Sequence, residues 1–251
     1  GKGASSVWSF PRAATLYAMR NVESAAVIAD GDELLDTVEI TTGDDPEAAV
    51  VWLHGLGADG HDFEPLVPWL KWPGAPSIRY VFPHAPVRPV TVNGGMAMRA
   101  WFDIRGIDID RDQDEEGIAQ SVLQANALVR RVVDRGIEPG RIVLAGFSQG
   151  GAIAIQCALR YPQRLAGLIA LSTYLLRGDA LEEERHEANH GLAVFHGHGT
   201  ADPIVPLHLG EQAVDTLEKL GYRVESRHYP MQHAVCPEEI QHLASWLQQR
   251  F

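Results

Sequence analysis

Cysteine is almost missing from this chain of 251 residues, which carries only Cys157 and Cys236. Two thiols build no disulfide framework and match no metal-ligand spacing, so disulfide scaffolds and zinc modules are excluded. A reducing, cytoplasmic setting is the expectation. Long apolar runs are missing too. No stretch reaches about 18 uninterrupted apolar residues, so neither a spanning helix nor stable membrane insertion is expected. Positive charge is in short supply: 21 Lys and Arg stand against 33 Asp and Glu, a formal charge of −12. Like charges repel at close approach, which argues against nucleic acid or an anionic membrane as partner. The opening "GKGASSVWSFPRAATLYAMR" lacks the basic-then-apolar layout of a secretory signal. Residues 1–35 read as an N-terminal extension with Met19 a candidate natural start, and residues 36–251 read as one domain.

The remainder has the composition of an ordinary globule, 45% hydrophobic and 22% charged, with length enough for a substantial core. Strand-length apolar runs recur: "TVEI", "AVVWLH", "IRYVFP", "RIVLAGF", "AGLIALS" and "LAVFHG". A final run, "YRVESRHYP", alternates in polarity and suggests a sheet edge. Helical patterns lie between them. "DEEGIAQSVLQANALVRRVVDRG" places Ile118, Val122, Ala125, Val129 and Val132 on one face before Gly136 stops it. "LGEQAVDTLEKLG" and "PEEIQHLASWLQQR" repeat the pattern, whereas "LEEERHEAN" suits a solvated loop or short helix. Alternating strands and helices predict an α/β fold: a mostly parallel central sheet with helices on both faces and no large lid domain. Ligands of such sheets sit at the carboxyl ends of the strands.

At one strand-to-helix junction, "LAGFSQGGAIA", a serine stands between Gly146 and Gly150. A tight glycine turn with an incidental serine would read the same way. The context, however, is that of a strand–turn–helix nucleophile: the turn exposes the hydroxyl and points helix N–H groups at the same space. Glycines at the flanks remove side chains that would collide, and Gly151 extends the clearance. A serine hydroxyl is a poor nucleophile without a base, usually a histidine oriented by a carboxylate. Position selects among the 11 histidines. In sheet-based enzymes of this kind the order is serine, acid, histidine, each just past a strand. Ser148, Asp202 in "HGTADPIVP" and His233 in "YPMQHAVCPEE" meet that order. Asp179 is the alternative acid; His196 and His198 suit loop shaping, and His228 falls inside a strand. Oxyanion donors are expected from the backbone N–H of Gln149, after the nucleophile, and of Leu56 in "WLHGLGADGHDF". No lysine follows that glycine loop as a phosphate-binding loop requires, and His54 and His61 find no companion at metal-ligand spacing.

Together, "WLHGLGADGHDF", "FPHAPVRPVTVNGG", "WFDI", "LAGFSQGGAIA", "HGTADPIVP" and "YPMQH" resemble the carboxylesterase and acyl-protein thioesterase family of α/β-hydrolases, nearest to its bacterial carboxylesterase branch. The likeness runs from about residue 36 to the C-terminus. It implies an α/β-hydrolase catalytic domain with catalytic Ser148, Asp202 and His233, oxyanion donors Leu56 and Gln149, no cofactor and no metal. It further implies a small-molecule ester or thioester substrate cleaved through an acyl-enzyme. Family members hydrolyse carboxylic esters of short to medium acyl chains; some act on lysophospholipids or acyl-cysteine thioesters. In that family the loop equivalent to "PVTVNGGMAMRAWFDI" helps wall the acyl site, which here offers Val90, Met96, Met98 and Trp101. Two departures stand out: the N-terminal extension, and Gln232 where bacterial members often have glycine before the histidine. A non-catalytic binding protein on the same scaffold is the reading from another class, and the presence of all three triad residues speaks against it. Oligomeric state stays open, a homodimer included.

Overall fold

A computed structural model describes residues 34–106, 108 and 112–251; the expected N-terminal extension, with Met19, lies outside the described residues. Leu35 is buried in the core, one residue upstream of the expected domain start. Among the described residues, nine strands and five α-helices follow one another: β1 (Thr37–Thr41), β2 (Ala48–Leu53), β3 (Ile78–Pro83), β4 (Val87–Val90), β5 (Met96–Arg99), α1 (Glu115–Asp134), β6 (Ile142–Phe147), α2 (Gln149–Arg160), β7 (Gly167–Leu171), α3 (Leu181–Glu184), β8 (Ala193–Gly199), α4 (Leu207–Lys219), β9 (Arg223–Tyr229) and α5 (Pro237–Gln248). Seven strands form one sheet in the order β1-β3-β2-β6-β7-β8-β9. β1 runs antiparallel to β3, and every other pair in that sheet is parallel.

Side-chain alternation along β2 shows why its sequence is apolar throughout. Ala49, Val51 and Leu53 enter one core with residues of α1 and α2, while Ala48, Val50 and Trp52 enter a second with α5 and the 3-10 helix Glu64–Trp69. A strand covered on both faces has no reason to alternate in polarity. β9, by contrast, pairs on one side only and leaves Arg223, Ser226, Arg227 and His228 exposed. The expected face of α1 is the buried one: Ile118, Ala125, Val129 and Val132 are enclosed, and Val122 packs at the margin. Asp114 caps its start by accepting the Gly117 N–H at 3.1 Å, and Gly136 follows its end with φ of 101°. That φ is a region glycine enters without steric cost.

The segment 89–104, expected as a loop, contains structure. β4 and β5 pair as an antiparallel hairpin around Gly94 and Gly95, both with positive φ. Four-residue strands are too short for periodicity to reveal, and Pro89 inside β4 argues against a strand unless it lies in such a two-stranded edge. Because β6, β8 and β9 are parallel, their carboxyl ends leave the sheet along one edge. Among the described residues no helix is long and apolar enough to cross a membrane.

Candidate active site

Ser148 begins at the end of β6 as the residue preceding α2, with φ 54° and ψ −121°. Positive φ is a strained conformation for a residue with a side chain. Its neighbours hold it there. The Ser148 N–H donates to Leu171 O at 2.9 Å, and its carbonyl accepts from Thr173 Oγ1 at 2.6 Å. The flanking glycines are required by close approach. A Cβ on Gly146 would land on the Gly150 carbonyl, and one on Gly150 would land on the carbonyls of Leu53 and His54. Gly151 makes room for Thr173, whose Cβ would lie 2.8 Å from an added methyl. Thr173 was not legible in the sequence as part of the site. Its only signal is a hydroxyl residue shortly after β7.

Asp202 and His233 come from the loops after β8 and β9. His233 Nδ1 lies 2.7 Å from Asp202 Oδ2, while Asp202 Oδ1 accepts the N–H groups of Ile204 and Val205, both at 2.9 Å. Burial by itself raises the Asp202 carboxyl, but the His233 hydrogen bond and charge, with the Val205 and Ile204 N–H groups, outweigh it and hold the carboxyl below its ordinary value. The two loops are also joined through backbone: Thr200 N–H donates to Tyr229 O at 2.9 Å and Ala201 N–H to Met231 O at 3.1 Å. Gly199 allows this join, since a Cβ there would strike the Met231 and Gln232 carbonyls. The His233 ring packs on Phe147, the residue before Ser148, with ring centroids 4.7 Å apart. Gln232 is exposed and is not among the positive-φ residues, so nothing at that position demands glycine.

Other histidines and acids fall elsewhere. His196 and His198 lie within β8, stacked 5.8 Å apart and facing Gly210 of α4. His198 Nε2–H donates to Val205 O at 2.8 Å and so fastens the Asp202 loop. Burial, reinforced by His198 and His228, pushes His196 down to about 3, which leaves it uncharged at neutral pH. His228 is inside β9, as expected. Asp179 makes no hydrogen bond or ion pair with His233, whose carboxylate partner is Asp202. Cys157 is fully buried, donates to Asn126 Oδ1 at 2.9 Å, and is pushed by burial up to about 12. No group of three or more His, Cys, Asp or Glu suited to a metal ion occurs among the described residues.

Beside the serine, Gly55 brings the loop after β2 into contact: a Cβ there would sit 3.5 Å from Ser148 Cβ. The next residue is Leu56. Among the described residues, no protein acceptor takes the backbone N–H of Leu56 or of Gln149. Gln149 opens α2, where first-turn N–H groups have no intrahelical acceptor. The four residues expected to wall an acyl group divide. Met96 is 65% exposed, and Met98 Sδ lies 3.7 Å from the Cβ position of Gly57, close to the Leu56 turn. Val90 and Trp101 are both 0% exposed and show no surface to a substrate.

The molecule thus holds a serine on a strained strand-to-helix turn, two unengaged N–H groups nearby, and an imidazole locked to a buried carboxylate at the same sheet edge. A family model described as phospholipase/carboxylesterase matches residues 35–250. The chain belongs to that family. It is a serine hydrolase with the α/β-hydrolase fold. It is 41% identical over 217 residues to acyl-protein thioesterase 1 of Cryptococcus neoformans, covering 80% of this chain and 91% of that relative. Against acyl-protein thioesterase 1 of Neurospora crassa it is 39% identical over 212 residues, covering 81% and 86%. Among solved structures, Arabidopsis thaliana SOBER1 superposes with TM-score 0.76 at 30% identity, covering 81% of this chain and 98% of that one. Zea mays acyl-protein thioesterase 2 gives TM-score 0.74 at 29% identity, covering 86% and 98%.

Proposed function

We propose that this hydrolase cleaves carboxylic esters of short to medium acyl chains through an acyl-enzyme on Ser148. The observation that carries the reading is the 2.7 Å bond between His233 Nδ1 and Asp202 Oδ2, beside the turn that bears the serine. That bond places the N–H at Nδ1 and leaves Nε2 as the proton acceptor. His233 takes the Ser148 proton as Oγ attacks the acyl carbonyl. Asp202 stabilises the imidazolium, and the N–H groups of Leu56 and Gln149 receive the developing oxyanion. The imidazolium then protonates the departing alcohol or thiol. Water, activated by the same imidazole, attacks the acyl-enzyme and releases the acid.

A second reading is an acyl-protein thioesterase or lysophospholipase working on long acyl chains, and its thioesterase form is the one that the fungal and maize relatives carry in their names. It also suits the apolar side chains Val87, Val92 and Met96, which stand exposed along the β4–β5 hairpin. Matched oxygen esters and thioesters of increasing acyl length separate the two readings. The first predicts a steep fall in kcat/KM beyond medium chains. A rise toward long chains with thioesters preferred selects the second, and no turnover of any member contradicts both.

A further inference from the structure

We propose that Trp101 is a positioning residue that sets the spacing between the two oxyanion N–H groups. The inference rests on the reading above and concerns how its donor pair is held. The two donors come from separate elements, Leu56 from the loop after β2 and Gln149 from the start of α2. Residues 99–102 run between these elements and bond to both.

On the helix side, the Trp101 N–H donates to Gln149 Oε1 at 2.7 Å, and Gln149 Nε2 donates back to Phe102 O at 2.8 Å. That reciprocal pair fixes the amide orientation, because a flipped amide would set donor against donor and acceptor against acceptor. On the loop side, the Trp101 indole Nε1–H donates to His54 O at 2.8 Å, and Gly57 N–H donates to Arg99 O at 2.8 Å. Leu56 lies between those two attachment points. The Trp101 carbonyl in turn accepts from Ser121 Oγ of α1. The three bonded groups of Trp101 therefore reach α2, the loop after β2 and α1 in turn, and the residue is 0% exposed.

His54 stiffens the loop end of this connection. Its Nε2 accepts the Ala85 N–H at 3.0 Å and its Nδ1 lies 2.7 Å from Gly55 O, which requires the neutral tautomer with hydrogen on Nδ1. Oxyanion donors act on charge that appears only in the transition state, so an error in their placement costs rate while leaving ground-state binding alone. Residues 99–102 also continue directly from β5, so the hairpin carrying Met96 and Met98 shares its anchor with the donors.

The test is Trp101→Phe, which keeps an aromatic ring and removes the indole donor. The expected result is a kcat roughly 10- to 100-fold lower, less than or near the loss of one whole oxyanion donor. KM stays within about twofold, and the pH profile keeps its shape because the His233–Asp202 pair is untouched. Affinity for a trifluoromethyl ketone, whose hemiketal oxygen mimics the oxyanion, falls in parallel with kcat. Gln149→Met gives the same readout from the other end of the bridge, and it serves alone if Trp101→Phe does not fold. A lowered melting temperature with unchanged kcat and ketone affinity would make Trp101 a packing residue and overturn the proposal. Wild-type protein inert toward every ester and thioester would instead overturn the underlying reading.

Discussion

The Asp202–His233 pair and the bridge through Trp101 serve the same serine in the proposed mechanism, yet different forces hold them. The first is a charged contact at a loop junction, with the His233 side chain 17% exposed and its partner fully covered. The second is a set of neutral hydrogen bonds among buried groups, His54, Trp101 and Gln149, each at most 2% exposed. A charge-stabilising pair must let a proton come and go, so it stays accessible to substrate and water. Donor placement needs only rigidity, which buried and mutually satisfied hydrogen bonds supply.

Removing charge from the first region gives the largest expected effect. Asp202→Asn keeps an Oδ1 to accept the Ile204 and Val205 N–H groups, so the loop folds as before. Its amide nitrogen would face His233 Nδ1–H, donor against donor, and favour the wrong tautomer. A loss of about 10⁴-fold in kcat is expected, with melting temperature little changed. Single-turnover kinetics with an activated ester would show it; a loss below about tenfold would mean the pair is not catalytic.

His54 of the neutral region, and with it His196 in β8, responds to acid instead, through stability. Burial pushes His54 from 6.5 down to about 4, and burial with neighbouring histidines pushes His196 from 6.5 to about 3. As pH falls below 6.5, the unfolded chain binds protons at these positions while the fold stays unprotonated until about 4 at His54. The contribution of these two histidines to stability is therefore full above the unfolded value and declines as pH drops through this window. Each histidine contributes about 1.4 kcal/mol per pH unit to the slope. The carboxyls of Asp62 and Glu239, which burial raises, act in the opposite sense over the same range, so the test is a difference. In urea unfolding at about pH 7 and about pH 5, wild type should lose more stability on acidification than His54→Asn. An identical pH dependence in His54→Asn and wild type would show that the His54 imidazole is not held neutral.

The same contrast explains what the sequence disclosed. Ser148, Asp202 and His233 could be singled out as candidates because nucleophile, acid and base require particular residue types and their order past successive strands is restrictive, and the structure sets His233 against Asp202. Backbone donors carry no such signature, since any residue but proline has an N–H. Leu56 and Gln149 could be named only by their place relative to strand ends and the serine. Trp101 was expected at the acyl wall, because an apolar residue in a substrate loop gives no sign of the direction its side chain takes. Its indole donates inward to His54 O. The seven sheet strands and α1, α4 and α5 followed from periodicity, whereas the short β4–β5 hairpin did not. Four residues with a proline among them leave too little pattern to read.

Labelling with a fluorophosphonate probe, followed by peptide mass spectrometry, tests the central claim most directly. One phosphonyl group should attach per folded wild-type molecule, on the peptide containing Ser148, and none should attach to a folded Ser148→Ala protein. Attachment to a different residue, or none to active folded protein, would contradict the account.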